Sequence, residues 1–377
     1  MSTEQGVRAL VAALDSAGDL PAGFGPLLER VPREKFIPDR IWVDPVPIDR
    51  ATDPERWHRA VYSDTSIVTQ FDNGRTCWPE VGDRPTCSAS MPSVVAGMLD
   101  ALDVHPGHTV LEIGTGTGYN AALLSELVGP DGSVVTLDID HGIAEQARAR
   151  LTADPGFPNV RTLTSDATNG ASGHDPFDRT ISTMAVPLGR IPLAWIAQSA
   201  IGGLVLTPVR ADLTNGPLIL FTADENTATG ITLPMGVAFM ESRTDRTPRP
   251  PRTPRHDHGP VDETTSDVDS LPMLDDPSSR WALAVAMPSC RYDIDYEGGK
   301  PVRAWLHDPL TGSHTTITKD GTDRCYIRQS GPRHLWDEAE IAYRWWDTTG
   351  RPHITDWQWT ITPEGQHTRP RSGATKR

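Results

Sequence analysis

The sequence predicts an α/β fold: a doubly wound, mostly parallel sheet with helices on both faces, followed by a small C-terminal α+β domain. Three observations support this prediction. A strand, a glycine-rich turn and a helix follow one another at residues 109–128. Strand-like and helix-like segments alternate from residue 86 to about 240. Ordered patterns return after a proline-rich interruption near residue 250.

The strand–turn–helix unit is the most informative segment. The apolar run Thr109–Ile113 stops at three glycines spaced two apart, Gly114, Gly116 and Gly118, and a helix-forming run follows. Glycines let a backbone approach a ligand where a Cβ would clash, and a helix start offers unpaired N–H groups. The unit is therefore typical of a nucleotide-type ligand site, although a glycine turn after a strand can also be only a tight turn.

The details of this turn favour one cofactor. The pattern is G-x-G-x-G rather than G-x-G-x-x-G, and Glu112, directly before the first glycine, would repel a pyrophosphate. We therefore expect a Rossmann-like sheet that binds S-adenosylmethionine (SAM) rather than NAD. Asp138 ends the next strand, twenty residues after Gly118, where a carboxylate can accept both ribose hydroxyls. The nearby Asp140 is the better candidate for a solvated loop carboxylate.

The remaining elements follow from hydrophobic periodicity and turn residues. Helices are expected within residues 1–40, irregular structure over 41–85, and a helix over 91–102 with proline in its first turn. Expected strands are 109–113, 133–138, 160–164, 178–183, 203–209, 217–222 and 229–241, and expected helices lie near 118–128, 141–152 and 190–200. The predicted division is an N-terminal cap (1–85), a SAM-binding α/β domain (86–243), a disordered linker (244–278), a C-terminal domain (279–365) and a disordered tail (366–377).

The C-terminal region is rich in tryptophan. Seven of the eleven tryptophans follow residue 280, so this region is expected to have a core of its own, although they could also line a peptide groove. Residues 280–285 and 301–308 alternate like strands. Residues 331–346 predict an amphipathic helix with one apolar face: Leu335, Ala339, Ala342 and Trp346.

Composition excludes several classes of function. A net charge of −15 and a pI near 5.2 disfavour nucleic-acid binding. No apolar run is long enough to span a membrane, and the polar N-terminus does not predict a signal peptide. Four scattered cysteines argue against a zinc site or a disulfide framework, so we expect no metal and a cytoplasmic location.

Four segments, in order, resemble one family. They are V-P-R-E-K-F-I-P at 31–38, T-C-S-A-S-M at 86–91, the L-E-I-G-T-G-T-G-Y turn at 111–119, and F-D-R-T-I-S-T-M-A-V-P at 177–187 followed by I-G-G-L-V-L-T-P-V. Over residues 22–240 the chain resembles the protein-L-isoaspartate O-methyltransferases. One glycine motif could be chance, whereas four segments in the right order are specific.

The resemblance implies roles for individual residues. Glu112, Gly114, Gly116 and Gly118 would line the methionine end of SAM, with Asp138 at the ribose and Asp166 at the adenine. Ser88 falls at the active-site serine beside the acceptor carboxylate, and Thr86 precedes it in the same loop. Ser88 could also cap the helix over 91–102. Ser90 stands where the family usually has proline, which leaves substrate choice open.

The C-terminal segments at 331–346 and 359–366 resemble a narrower group. They are similar to methyltransferases found with ATP-grasp maturases, which crosslink ribosomal peptides called graspetides. This resemblance implies methylation of a peptide aspartate to an ester that can cyclise to an aspartimide. The alternatives are general isoaspartyl repair, a non-catalytic peptide-binding scaffold, and methylation of a small molecule.

Overall fold

The computed structural model describes residues 2–153, 157–174, 176–246, 260–268, 270–298, 300–319 and 324–371. The helices are α1 (Thr3–Ala17), α2 (Phe24–Arg30), α3 (Pro54–Val61), α4 (Pro92–Leu102), α5 (Tyr119–Val128), α6 (His141–Ala153), α7 (Leu193–Ala197), α8 (Ser270–Asp275), α9 (Pro277–Ala286) and α10 (Leu335–Thr348). The strands are β1 (Arg40–Val43), β2 (Val46–Asp49), β3 (Ile67–Phe71), β4 (Pro85–Ala89), β5 (Thr109–Ile113), β6 (Ser133–Asp138), β7 (Val160–Thr164), β8 (Phe177–Ser182), β9 (Val186–Pro187), β10 (Ser199–Arg210), β11 (Pro217–Asp224), β12 (Thr227–Gly236), β13 (Val261–Ser266), β14 (Arg291–Glu297), β15 (Lys300–His307), β16 (His314–Lys319), β17 (Cys325–Ser330), β18 (Trp357–Thr362) and β19 (Gly365–Pro370).

A long mixed sheet forms the centre of the molecule and confirms the predicted α/β fold. Its strand order is β19-β18-β12-β11-β10-β8-β5-β6-β7, with β9 beside the end of β10. The strands from β10 to β7 run parallel, and β11, β12, β18 and β19 are antiparallel. Alternate residues of β5 enter different core clusters, Val110 on one face and Leu111 and Ile113 on the other, so both faces are covered.

The N-terminal region is more regular than its sequence indicates. The predicted helices are present, but residues 41–85, expected to be irregular, contain α3 and most of an antiparallel sheet of order β2-β1-β3-β4. The prediction was wrong because these strands have only four or five residues and carry too little periodicity to stand out among Asp and Pro.

A second antiparallel sheet, of order β13-β17-β16-β15-β14, lies in the C-terminal region. The segment 280–285, expected to be a strand, lies in α9, because Asp276 caps the helix and Pro277 occupies its first turn. The apolar face predicted for α10 is correct: Leu335, Ala339, Ala342 and Trp346 are all buried.

The predicted linker and tail are both partly ordered. Within 244–278, residues 247–259 and 269 lie outside the described residues, but β13 and α8 follow, and β13 pairs with β17. Within 366–377, residues 366–370 belong to β19, and 372–377 lie outside the described residues. Polar composition hid these strands, since β13 (V-D-E-T-T-S) has only one apolar residue.

The C-terminal region shares its core with the central sheet. The strands β18 and β19 extend that sheet beyond β12, and the Trp281 ring lies 6.2 Å from Trp357 and 5.6 Å from Trp359. Trp359 in turn packs against Phe221 of β11, with ring centroids 6.3 Å apart. Among the described residues, no helix is long and apolar enough to cross a membrane.

Candidate active site

A cleft of about 1460 Å³ opens at the carboxyl ends of the parallel strands. One wall is the turn between β5 and α5, and a second is β4. The segment 237–246, which we call the strap, lines it as well, and side chains of the C-terminal region line its far part. Ligands of open α/β sheets bind at this edge, so the cleft is the candidate active site.

The glycine turn has the geometry that its sequence predicts. Gly114, Gly116 and Gly118 have φ angles of 92°, 53° and 88°, in the left-handed region that favours glycine. A Cβ at Gly114 would lie 2.5 Å from Thr183 Oγ1, and this hydroxyl donates a 2.7 Å hydrogen bond to the Gly114 carbonyl. A Cβ at Gly116 would make ordinary van der Waals contacts, the nearest 3.6 Å from the Ser88 carbonyl oxygen, so a larger side chain there would enter the cleft between the turn and β4.

Glu112 supports the turn from below. Its side chain is fully buried and accepts hydrogen bonds from Thr136 Oγ1 at 2.5 Å and from Asn120 Nδ2 at 2.7 Å. Burial raises the pKa of this carboxyl to about 7. Asn120, which follows the turn on α5, lines the cleft, whereas Glu112 lies behind it. The structure thus assigns Glu112 to positioning the turn rather than lining the ligand.

Asp138 lies at the end of β6 and lines the cleft, as predicted. Its carboxylate accepts hydrogen bonds from the Gly116 N–H at 3.1 Å and from the Asp140 N–H at 2.9 Å. Burial raises the pKa of Asp138 above its ordinary value. The carboxylate therefore ties the glycine turn to the adjacent strand end.

Asp140 is not the solvated loop carboxylate that we expected. It accepts the N–H groups of Gly142 and Ile143 at the start of α6, at 2.9 and 3.2 Å, and also pairs with Arg243 Nη1 at 2.9 Å. Gln70 Nε2 donates a further 3.0 Å hydrogen bond to it. The prediction was wrong because Arg243 and Gln70 come from remote parts of the sequence.

Asp166 follows β7 and also lines the cleft. Its carboxylate accepts hydrogen bonds from the Thr168 N–H at 2.9 Å and from Thr244 Oγ1 of the strap at 3.0 Å. Burial alone would raise its pKa, but these hydrogen bonds outweigh that effect and lower the pKa. Asp138 and Asp166 thus lie on the same cleft, where the two strand ends meet.

Ser88 and Thr86 both lie on β4 and line the cleft, but their hydroxyls differ. Thr86 Oγ1 donates a 2.6 Å hydrogen bond to Gln70 Oε1 and accepts the Asn73 N–H at 3.0 Å. The hydroxyl of half-buried Ser88 has no hydrogen-bond partner among the described residues. Ser88 does not cap α4, because Asp64 Oδ1 accepts the Ser93 N–H there at 2.9 Å.

A buried arginine fixes the strand that carries Ser88. Arg33, from the V-P-R segment, is 1% exposed and donates hydrogen bonds to five backbone carbonyls: those of Val61, Ser63, Thr65, Ala89 and Ser90. The last two lie at the end of β4 and directly after it. Burial lowers the pKa of Arg33 to about 10. The motif was visible in the sequence, but this role depends on contacts up to 57 residues away.

Arg243 in the strap is a second residue that sequence reasoning missed. Besides its ion pair with Asp140, its Nη2 donates to Gln70 Oε1 at 3.0 Å and to the Thr86 carbonyl at 3.1 Å. Arg243 therefore connects the Asp138 side of the cleft to the Ser88 strand. No local pattern could have revealed it, because Asp140 and Thr86 lie more than 100 residues earlier.

A sequence model of the family "protein-L-isoaspartate(D-aspartate) O-methyltransferase" matches residues 26–246. The chain belongs to this family. The matched segment contains the glycine turn, β4, Asp138, Asp166 and the strap. These parts of the cleft lining therefore all belong to the matched segment. The enzyme is a SAM-dependent O-methyltransferase of the protein-L-isoaspartate type.

Individual relatives agree with this assignment. A protein-L-isoaspartate O-methyltransferase of Ignicoccus hospitalis is 34% identical over 183 residues, which is 48% of this chain and 71% of the relative. A protein-L-isoaspartate O-methyltransferase of Methanothermobacter thermautotrophicus is 34% identical over 193 residues, which is 51% of this chain and 74% of the relative.

A solved structure titled protein-L-isoaspartate O-methyltransferase matches with a TM-score of 0.54 and covers 97% of this chain and 99% of its own. At 20% identity this likeness shows the fold alone, but it includes the C-terminal region.

The geometry of the turn suits the SAM of this family. A large side chain at residue 116 would fill the space beside the glycine turn. The Gly116 N–H donates a hydrogen bond to Asp138, which holds the turn in place. Gly114, Gly116 and Asn120 would hold the methionine end, Asp138 the ribose and Asp166 the adenine. The described residues contain no group of three or more metal-ligating side chains.

Proposed function

We propose that this enzyme methylates an aspartyl or isoaspartyl carboxylate within an extended peptide. The observation that carries this proposal is the length of the cleft, which continues from the glycine turn to α9, β14 and β15. Small-molecule pockets have volumes of roughly 300–1,000 Å³. A cleft of about 1460 Å³ has room for a peptide beside the cofactor.

Methyl transfer needs little acid–base chemistry from the protein. The cofactor supplies a methyl group on a sulfonium, and a carboxylate is already a competent nucleophile at neutral pH. The protein must align the acceptor oxygen in line with that methyl group and exclude water, and alignment can supply up to ~7–11 kcal/mol. Ser88, whose hydroxyl is unused by the described residues, would orient the acceptor carboxylate, and Thr86 would hold the β4 backbone beside it.

The product is a methyl ester with an activated carbonyl. The backbone nitrogen of the following residue can attack this carbonyl, the bond to the methoxy group breaks, and methanol leaves with the amide proton. The result is a cyclic imide. In repair the imide opens again, whereas in peptide maturation it can be retained.

Two substrate classes fit this chemistry. We propose a ribosomal peptide already crosslinked by an ATP-grasp maturase, supported by the resemblance of residues 331–346 and 359–366 to methyltransferases of such systems. The alternative is general isoaspartyl repair. It is supported by the relatives named protein-L-isoaspartate O-methyltransferase. The fold of the solved structure also includes the C-terminal region, so the presence of this region does not by itself indicate maturation.

Intact-mass spectrometry with SAM separates these substrates. A generic isoaspartyl peptide and the crosslinked precursor from the same gene neighbourhood are incubated in parallel with the wild-type enzyme and with Gly116→Arg. The φ of 53° strains any residue other than glycine at position 116, so Gly116→Ala, which carries the same backbone strain with only a methyl group, is the control for folding. The longer arginine side chain would in addition fill the space beside the glycine turn.

Maturation predicts that the crosslinked peptide alone gains a methyl group and then settles at the mass of one lost water. Repair predicts that the generic peptide is methylated as well or better. A non-catalytic scaffold predicts no mass change in either peptide and unchanged peptide binding by Gly116→Arg.

A further inference from the structure

The far wall of the cleft carries a compact set of polar side chains. Arg280 lies in the first turns of α9, Tyr292 on β14 and His307 on β15. Arg280 Nη1 donates a hydrogen bond to the Tyr292 hydroxyl, and its guanidinium lies 5.5 Å from the centre of the Tyr292 ring. All three residues line the cleft, and none lies within the matched family segment 26–246.

The neighbouring charges are largely paired with one another. Arg291 Nε lies 3.1 Å from Asp212 Oδ1, and Arg210 pairs with Glu241 and, at 3.7 Å, with Asp212. Arg280 has no carboxylate within ion-pair distance among the described residues. Among the cleft-lining side chains of this group, three guanidinium groups (Arg210, Arg280 and Arg291) therefore stand against two carboxylates (Asp212 and Glu241).

Two polar atoms in this wall are buried and lack a hydrogen-bond partner among the described residues: Arg280 Nε and His307 Nε2. An unsatisfied buried polar atom costs about 1–3 kcal/mol. Both atoms are covered by protein in this structure, so a small turn of either side chain towards an anion in the cleft would offset this cost with a new hydrogen bond. The pKa of His307 is lowered by burial and then by Arg291 and His314, against the opposing effects of Asp212 and Asp293. A neutral ring can donate its Nε2–H to an anionic oxygen.

We propose that Arg280, Tyr292 and His307 form a subsite for a second carboxylate of the peptide substrate, separate from the carboxylate that is methylated. A guanidinium matches a carboxylate with two parallel hydrogen bonds, and the Tyr292 ring and hydroxyl hold Arg280 in place for it. The net charge of −15 disfavours a nucleic-acid polyanion as the source of the bound group, and a carboxylate is the anion that a peptide substrate carries. The inference rests on the proposal that the cleft holds a peptide.

A glutamate scan tests the subsite. One glutamate is moved along the peptide that the wild type methylates, either the isoaspartyl peptide or the crosslinked precursor, whose other residues outside any crosslink are uncharged. The version with glutamine at every scanned position is the reference. Steady-state kinetics are measured for the wild type, Arg280→Gln, Arg280→Lys and the matched control Arg303→Gln, whose side chain is exposed on β15 and does not line the cleft.

We expect glutamate at one or a few neighbouring positions to lower KM about tenfold in the wild type, with kcat unchanged. Arg280→Gln should abolish this difference, Arg280→Lys should retain part of it, and Arg303→Gln should keep it. The inference is overturned if no glutamate position lowers KM, or if the difference survives in Arg280→Gln. A wild-type enzyme that methylates neither the isoaspartyl peptide nor the crosslinked precursor would instead contradict the proposed function.

Discussion

Arg33 shows how one side chain can organise an active-site strand without touching the ligand. It is buried among backbone carbonyls, and it connects the segment 61–65 to the end of β4. A buried charge is tolerated when hydrogen bonds compensate its lost hydration, and here five carbonyls accept from the two Nη groups, while Nε has no partner among the described residues. The position of Ser88 therefore depends on a residue 55 positions earlier in the chain.

Replacing Arg33 by methionine should destabilise the protein. The carbonyls that it now satisfies would be left buried, so we expect the free energy of unfolding to fall by about 3 kcal/mol, measured by denaturant titration. Arg30→Met is the control, because Arg30 is exposed and pairs with Glu126, and its loss should cost at most about 0.5 kcal/mol. Equal effects of the two substitutions would contradict this role of Arg33.

Glu112 should make stability depend on pH. Its pKa in the folded state is about 7, against an ordinary value of 4.5, so between these values the folded state binds more protons than the unfolded state. The stability that Glu112 contributes is complete below pH 4.5 and is lost as pH rises through 7.

Relative to Glu112→Gln, the wild type should therefore lose up to about 3 kcal/mol between those two pH values. The measurement is urea unfolding of both proteins across that range. A difference between them that does not change with pH would contradict the account.

At the scale of elements, the strap connects the two halves of the cleft. Its Arg243 contacts Asp140, whose N–H holds Asp138, and the backbone of Thr86, which belongs to the Ser88 strand. Thr244 of the same segment bonds to Asp166. The strap therefore sets the spacing between the predicted cofactor and acceptor sites.

Arg243→Gln should weaken cofactor binding more than it affects the chemical step. Loss of the ion pair frees Asp140 and lets Asp138 move, so we expect KM for SAM to rise about tenfold with a smaller change in kcat. The assay is steady-state methylation of an isoaspartyl peptide. Arg8→Gln, which removes an exposed pairing with Glu4 on α1, serves as the control. An unchanged KM for SAM in Arg243→Gln would show that the strap does not set this site.

Local sequence patterns predicted the parts of this site that are local in structure. Gly114, Gly116 and Gly118 require positive φ, and Asp138 follows directly from its place at a strand end. The sheet of residues 41–85 was missed because its short strands are stabilised by partners and by packing rather than by periodicity. Arg243 could not be predicted, because its role exists only once three distant segments meet.

The whole molecule is more unified than its sequence indicates. We predicted a separate domain over 279–365, yet β18 and β19 extend the central sheet, and Trp281, Trp357 and Trp359 enter the same core cluster as Leu111 and Phe221. The sequence left open whether the tryptophans form a core or line a peptide groove. In the described part of the chain, most tryptophans pack in the core, and none lines the cleft. The wall of the cleft that carries Arg280 is therefore connected, through this shared core, to the wall formed by the glycine turn.

This shared core predicts cooperative unfolding. Calorimetry of the full chain should show one transition. Truncation after Asp356, which removes β18 and β19 with two buried tryptophans, should lower the melting temperature by roughly 10 °C or more. Truncation after Arg371 is the control, because it removes only residues outside the described part. Two separate transitions, or an unchanged melting temperature after the longer truncation, would contradict a shared core.

The most direct test of the central claim is the release of labelled methanol from methyl-labelled SAM. The wild type and Gly116→Arg would each be incubated with an isoaspartyl peptide, with its normal aspartyl counterpart and with the crosslinked precursor. If the protein is a carboxyl methyltransferase with its cofactor on the glycine turn, the wild type releases methanol with the isoaspartyl peptide or with the crosslinked precursor, and Gly116→Arg releases none. Equal release by both proteins, or none by the wild type with either this peptide or the crosslinked precursor, would contradict the account.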